Sequence, residues 1–93
     1  MSYGNPSPSE AILLSRIDKL LSEVRAELFV AAGRYPPMQS AHEGYAVLLE
    51  EVDELWDEVR VKQSNRDLLA MRKEAIQVAA MAVRFLLDVT GAC

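Results

Sequence analysis

The chain has 93 residues, of which 51% are hydrophobic, and its 14 acidic residues outnumber its 10 basic ones to give a net charge of −4. This length predicts one small domain, whose own core contributes only marginal stability unless an oligomer or a metal assists it. The acidic balance argues against nucleic acid as a partner, because binding to its phosphates requires a basic footprint.

Targeting and membrane signals are absent from the sequence. The first ten residues, MSYGNPSPSE, lack the basic and then apolar order of a signal peptide. The longest apolar run, residues 78–83, is far shorter than the ~20 residues of a membrane helix. The single cysteine, Cys93, leaves no disulfide to be formed. A soluble, cytoplasmic protein without a membrane partner is therefore predicted.

The first helix follows a tail, residues 1–6, that is predicted to be disordered, so the domain is predicted to span residues 7–93. Ser7 has the properties of a helix cap, Pro8 suits the first helical position and Glu10 completes a capping box. A helix over about 8–33 is predicted because apolar residues then recur at three- and four-residue steps: Leu13, Ile17, Leu20, Val24, Leu28 and Ala31. The charged side is interpreted as a solvated face: Arg16, Asp18, Lys19, Glu23, Arg25 and Glu27.

A linker with two prolines, residues 34–39, separates this helix from the second. Ser40 is predicted to cap the second helix, with the Glu43 side chain reaching back, and the helix is predicted to cover about 41–62. A turn at 63–65 leads to a third helix over about 66–90. Because this turn is short, the second and third helices are predicted to be antiparallel neighbours.

The second helix combines an apolar band with many acidic residues. At 100° per residue, seven apolar side chains share one face: Tyr45, Leu48, Leu49, Val52, Leu55, Trp56 and Val59. Glu51, Glu54 and Glu58 follow one edge of this band. Carboxylates three and four residues apart project side by side, which suits a hard divalent cation. A solvated acidic face on an ordinary amphipathic helix explains the same pattern.

The third helix is apolar around nearly its whole circumference from residue 75 to residue 89. Such a helix requires neighbours on several sides, and a second copy of the chain is the natural supplier. The sequence therefore predicts an all-α, three-helix chain that associates through the third helix and the apolar band of the second. The product would be a homodimer or homotetramer resembling a four-helix bundle.

The acidic residues of the two helices resemble the MazG-like, all-α nucleoside triphosphate pyrophosphohydrolase superfamily. The signature of that superfamily is EExxE on one helix and ExxD on the next. The first half is complete here as Glu50-Glu51-Val52-Asp53-Glu54, and Glu74 follows on the third helix. The second half reads Glu74-Ala75-Ile76-Gln77, so Gln77 replaces the last carboxylate. The resemblance covers roughly residues 34–89.

The resemblance implies hydrolysis of a nucleoside triphosphate, ribo or deoxy, to the monophosphate and pyrophosphate with Mg²⁺ or Mn²⁺. Glu51, Glu54 and Glu74 match metal ligands, and Gln77 occupies the fourth ligand place. Glu50 is a candidate either for orienting these ligands without binding the metal or for activating water.

Cationic and aromatic residues are candidates for holding the nucleotide. Lys73 and Arg84 are candidates for binding phosphates, and His42 for binding a base or phosphate. An ion pair with Asp88 explains Arg84 equally well, and a structural role explains His42. Tyr35 and Trp56 have rings that stack on bases, although the place of Trp56 in the apolar band predicts a core residue.

Gln77 also favours an alternative function. A neutral amide removes one negative charge from the site and weakens binding of a hard cation. The alternative is a catalytically inactive MazG-like oligomer that binds nucleotide or a protein partner, and a helical bundle unrelated to the superfamily is a third hypothesis.

Overall fold

The computed structural model describes residues 4–91, which form three α-helices and one short 3₁₀ helix and contain no β-strand. The α-helices are α1 (Pro8–Arg34), α2 (Ala41–Val59) and α3 (Leu68–Asp88), and the 3₁₀ helix is Gln63–Asn65. The all-α, three-helix prediction is confirmed. Residues 1–3 of the predicted tail and residues 92 and 93 of the predicted domain lie outside the described residues, and residues 4–6 have no regular secondary structure.

The starts of α1 and α2 are capped by serines, as predicted. The Ser7 hydroxyl accepts a hydrogen bond from the Glu10 amide at 3.2 Å, and the Glu10 carboxylate accepts one from the Ser7 amide at 3.3 Å. Ser40 caps α2 in the same way, but the Glu43 carboxylate accepts from the Gln39 amide, one residue before the cap. This second bond therefore ties the linker to the helix.

The turn between α2 and α3 is longer than predicted, because α2 ends at Val59 rather than at 62 and α3 begins at Leu68 rather than at 66. Asp67 explains the later start, since its carboxylate accepts the amides of residues 69 and 70 and so caps α3. The Arg66 guanidinium donates to the Val59 carbonyl and closes the turn. At the other end α3 stops at Asp88 rather than at 90.

α3 is the central helix, because it packs against both of the others. Glu23 pairs with Arg72, and Ala31 lies beside Arg84, so α1 and α3 run in the same direction. α2 runs antiparallel to α3, as predicted, with Gly44 beside Phe85. Within residues 4–91, α1 and α2 make no close backbone approach to each other. A cleft therefore remains between them, with α3 as its floor.

The core is small for three helices of this length. Its buried hydrophobic residues are Val24, Ala31, Met38, Ala80 and Met81. Trp56, predicted to lie in the core, is 58% exposed, and Leu86 and Leu87 on α3 are about half exposed. The apolar faces of α2 and α3 therefore extend well beyond what one chain covers. None of the described helices has both the length and the apolar character required to cross a membrane.

One buried cation joins α3 to the end of α1 and to the linker. Arg84 is only 6% exposed, and its guanidinium donates to the carbonyls of Ala31 at 3.1 Å and Tyr35 at 2.7 Å. It also pairs with Asp88 at 3.0 Å, whose carboxylate accepts the Met38 amide. The Met38 amide and then the guanidinium hold the pKa of Asp88 below its usual range. These bonds fix where the linker crosses α3 and hence where α2 begins.

Gly44 allows the first turn of α2 to lie directly against α3. A Cβ added at this position would approach the ring of Phe85 to 2.7 Å and the sulfur of Met38 to 3.1 Å. The former distance is shorter than van der Waals contact, so the ring would have to move. Gly33, in the last turn of α1, has no atom within 4 Å of an added Cβ.

We predict opposite effects for alanine at these two glycines. Gly44→Ala should lower the free energy of unfolding by about 1–2 kcal/mol, since overpacking outweighs the gain in helix propensity. Gly33→Ala should raise it by about 0.5 kcal/mol, because only the gain in propensity remains. Urea denaturation followed by circular dichroism measures both. A stabilising Gly44→Ala would contradict the close packing of α2 on α3.

Candidate functional site

The cleft between α1 and α2 has a volume of about 520 Å³. Its wall on α2 is acidic and includes Glu43, Glu50, Glu51 and Glu54. The facing wall comes from the last turns of α1 and from the linker, with side chains such as Val30, Arg34, Tyr35 and Met38. The cleft therefore places carboxylates opposite a largely apolar surface.

Three carboxylates converge beside this acidic wall. Glu51 and Glu54 lie one turn apart on α2, and Glu74 projects towards them from the antiparallel α3. One oxygen from each carboxylate lies within 4.8 Å of the other two. Oxygens that share one ion at ~2.1 Å lie ~3 Å apart when adjacent and ~4.2 Å apart when opposite, so small side-chain rotations would allow all three to bind one cation. The sequence predicts this convergence, and the role of the three as metal ligands stays a prediction.

One oxygen of the cluster, Oε2 of Glu74, is buried and accepts no hydrogen bond from any described residue. A buried polar atom without a partner is costly, so such atoms normally have a bonding partner or a bound ion. All the atoms of the cluster are carboxylate oxygens, which are the ligands that Mg²⁺ and Mn²⁺ prefer. The residues present therefore fit a hard divalent cation.

The crowding of these carboxylates raises their affinity for protons. Burial, and then the neighbouring Glu54 carboxyl, raises the pKa of Glu51 to about 7. The pKa of Glu74 is raised for the same two reasons, although the Lys73 ammonium opposes part of the rise. Each shift arises because a negative charge is poorly solvated here and repelled by the others. A bound cation would supply the positive charge that this arrangement requires.

Of the other residues predicted for the site, some line the cleft and others lie outside it. Glu50 and Gln77 line the cleft, with Glu50 exposed and Gln77 half-buried. Lys73 lies in a separate groove between α1 and α3, which shares Gln77 with the cleft. His42 is exposed in the first turn of α2 and does not line the cleft.

Arg84 and the two aromatic candidates also differ in whether they border the cleft and in what they contact. Arg84 borders the cleft, but its described hydrogen bonds go to Asp88 and to two backbone carbonyls, which makes it a structural residue. Tyr35 lines the cleft with its side chain exposed, whereas Trp56 does not border it.

Sequence reasoning missed the contribution of α1 to the cleft. The charge pattern of α1 predicts that Glu27 lies on a solvated face, yet Glu27 is half-buried and borders both the cleft and the groove between α1 and α3. Arg34 and Glu43, at the two ends of the linker, also line the cleft. The linker is the sequence feature that predicts their position, since a short, extended connection places the last turn of one helix near the first turn of the next.

Comparison of the chain with protein-family models, with curated proteins and with solved structures gives no match. The function of the site is therefore inferred from its own geometry.

We predict that the cation-free protein loses stability as the pH rises from about 5 to about 7.5. Glu51 ionises near its ordinary pKa of 4.5 in the unfolded chain but near 7 in the folded one. Between these values the folded chain holds more protons than the unfolded chain, so raising the pH favours unfolding. Thermal unfolding in the presence of a chelator measures this slope.

The matched variants for this prediction are Glu51→Gln, which should flatten the slope, and Asp53→Asn, which should retain it because Asp53 lies outside the cluster and the cleft. Added Mn²⁺ should raise the melting temperature more at pH 8 than at pH 6, since the cation competes with protons for the same oxygens. A slope that Glu51→Gln leaves unchanged would contradict the crowding of these carboxylates.

Proposed function

We propose that this chain is a Mg²⁺- or Mn²⁺-dependent nucleoside triphosphate pyrophosphohydrolase of the MazG-like type, which converts a nucleoside or deoxynucleoside triphosphate to the monophosphate and pyrophosphate. The observation that carries the proposal is the convergence of Glu51, Glu54 and Glu74, with an unsatisfied Glu74 oxygen, beside a cleft of about 520 Å³. That volume is in the range of small-molecule sites.

The two walls of the cleft suit the two ends of a nucleotide. When bound, a divalent cation neutralises phosphate oxygens and lowers the pKa of an attacking water. The triphosphate would therefore lie on the acidic wall of α2, near the carboxylate cluster. The base and sugar would lie against the wall formed by Val30, Tyr35 and Met38, where apolar contact and an exposed aromatic ring are available.

Glu50 is the proposed proton acceptor for the reaction. Its exposed carboxylate lines the cleft and directly precedes Glu51 in the chain. In the hydrolysis a water oxygen forms a new bond to phosphorus, the α–β anhydride bond breaks, pyrophosphate leaves, and Glu50 takes the proton of the water.

The proposal includes assembly of a homodimer or homotetramer through α2 and α3, completing a bundle of four helices. An exposed stripe on α2 supports it, in which Tyr45, Leu49, Val52 and Trp56 are each at least 41% exposed. Leu86, on α3, is 50% exposed. Apolar surface of this extent on a small chain is typical of a protein interface.

A catalytically inactive oligomer that binds nucleotide or a protein partner is the second candidate function. Gln77 favours it, because this neutral amide borders the cleft where the superfamily pattern has a carboxylate. Fewer negative charges weaken the binding of a hard cation, and loss of the cation abolishes the chemistry.

Release of pyrophosphate from a panel of nucleoside and deoxynucleoside triphosphates, with Mg²⁺ or Mn²⁺, tests the activity. We expect release by the native chain and a decrease of at least about 100-fold for Glu54→Gln and Glu74→Gln, since even residues outside the ligand set cost 10- to 100-fold. Asp53→Asn, on the same helix but outside the cleft, should retain the activity. If no nucleotide is hydrolysed while Mn²⁺ still raises the melting temperature, the inactive oligomer is the correct assignment.

Gln77→Asp tests whether the missing charge limits the site. One additional charge at ~4 Å from the cation, with an effective dielectric near 20, is worth roughly 4 kcal/mol per unit of cation charge before desolvation offsets part of it. We therefore expect this variant to bind Mn²⁺ at least ~10-fold more tightly in isothermal titration and to release pyrophosphate faster. We also expect the native chain to prefer Mn²⁺ to Mg²⁺.

Gln63→Asp is the control for this titration, because it adds the same charge in the exposed 3₁₀ helix, away from the cleft. Equal or weaker binding of Mn²⁺ by Gln77→Asp would show that the amide at this position does not limit the affinity.

A further inference from the structure

The first half of α1 packs little against the rest of the described chain. Every residue from 8 to 22 is exposed, and the first buried residue of the helix is Val24. Glu23 pairs with Arg72, four residues after the start of α3, and the two helices run in the same direction. Residues before about 19 therefore pass the beginning of α3. At 1.5 Å per residue, this segment (the α1 arm, residues 8–22) is about 22 Å long.

The α1 arm carries an apolar stripe that continues the buried face of the same helix. In the second half of α1 the stripe consists of Val24, Leu28 and Ala31, which belong to or pack against the core. Its continuation is formed by Leu13, Ile17 and Leu20, which are 55%, 40% and 44% exposed. An amphipathic helix obtains most of its stability from the packing of its apolar face, so the arm requires a surface to cover it.

The surface area of the chain shows that one copy leaves enough surface for a stable dimer. The accessible area is 7391 Å², whereas a compact protein of this mass exposes about 5,400 Å². The radius of gyration is 16.1 Å, compared with about 12 Å for a compact domain of this length. The excess of about 2,000 Å², to which the α1 arm contributes, is in the range that each subunit buries in an obligate dimer.

The charges of the α1 arm favour a second copy of the chain over a lipid surface. The arm carries two acidic residues, Glu10 and Asp18, and two basic residues, Arg16 and Lys19. Helices that lie on membranes are rich in lysine and arginine along their polar face, which this balance does not provide. Charges of both signs on one helix allow two identical arms to pair around a twofold axis.

We propose that the α1 arm docks on a second copy of this chain along the stripe of Leu13, Ile17 and Leu20. This interface is distinct from the outer stripe of α2 and from the carboxylate cluster. It does not depend on a bound cation or on hydrolysis, so it stands or fails separately from the proposed activity, and the Ile17→Glu variant below distinguishes it from assembly through α2 and α3.

Sedimentation equilibrium of matched variants tests the interface. The native chain is expected to be an oligomer at micromolar concentration. Ile17→Glu should raise its dissociation constant at least 100-fold, because a charge would be buried in the interface. Ile12→Glu is the control, since Ile12 is 63% exposed and lies about 140° from Ile17 around the helix. A native monomer, equal effects of the two substitutions, or no effect of Ile17→Glu would overturn the proposal.

Hydrogen exchange of the native chain gives a second test that does not depend on a variant folding. Amides of the α1 arm should be protected at high protein concentration and should lose protection on dilution as the oligomer dissociates. Amides of residues 24–34 should retain more protection, because that half packs on α3. Protection of the arm that is independent of concentration, or that arises only with anionic vesicles, would overturn the docking on a second copy.

Discussion

The buried guanidinium of Arg84 is the interaction on which the arrangement of the three helices depends. The desolvation of this buried charge is offset because Asp88 neutralises it and two backbone carbonyls accept hydrogen bonds from its donors. One of those carbonyls belongs to α1 and the other to the linker, so a single side chain on α3 fixes both. Since α1 and α2 make no close backbone approach within residues 4–91, their separation is set through α3 and the linker.

The carboxylate cluster has the opposite character, because it opposes folding unless something neutralises it. Glu51 and Glu74 are both held in environments that favour the protonated form. The antiparallel pairing of α2 and α3 enforces this proximity. Three crowded carboxylates and an unsatisfied oxygen at the edge of a cleft form an arrangement that a cation would stabilise.

The sequence predicts the elements of this fold well, because local signals determine them. Ser7 and Ser40 are recognisable caps. The connection between α2 and α3, although longer than predicted, still pairs them antiparallel and brings Glu74 to Glu51. The exposure of Trp56 and the role of Glu27 are not encoded by such signals. The exposure of Trp56 depends on how much of α2 one chain covers, and the role of Glu27 depends on where α1 lies relative to α2. Asp67 is a local capping signal that places the start of α3 later than the predicted residue 66.

The absence of a close backbone approach between α1 and α2 has a thermodynamic consequence. The α2–α3 hairpin is local in sequence, whereas α1 docks on it through a few core side chains, the Glu23–Arg72 pair and Arg84. The docking of α1 therefore depends on these contacts with α3 and on the linker, because α2 adds no close helix packing to it. A molecule that touches both walls of the cleft would add a direct connection between α1 and α2. Its binding energy is then coupled to the docking of α1, so occupancy would rigidify the chain as a whole.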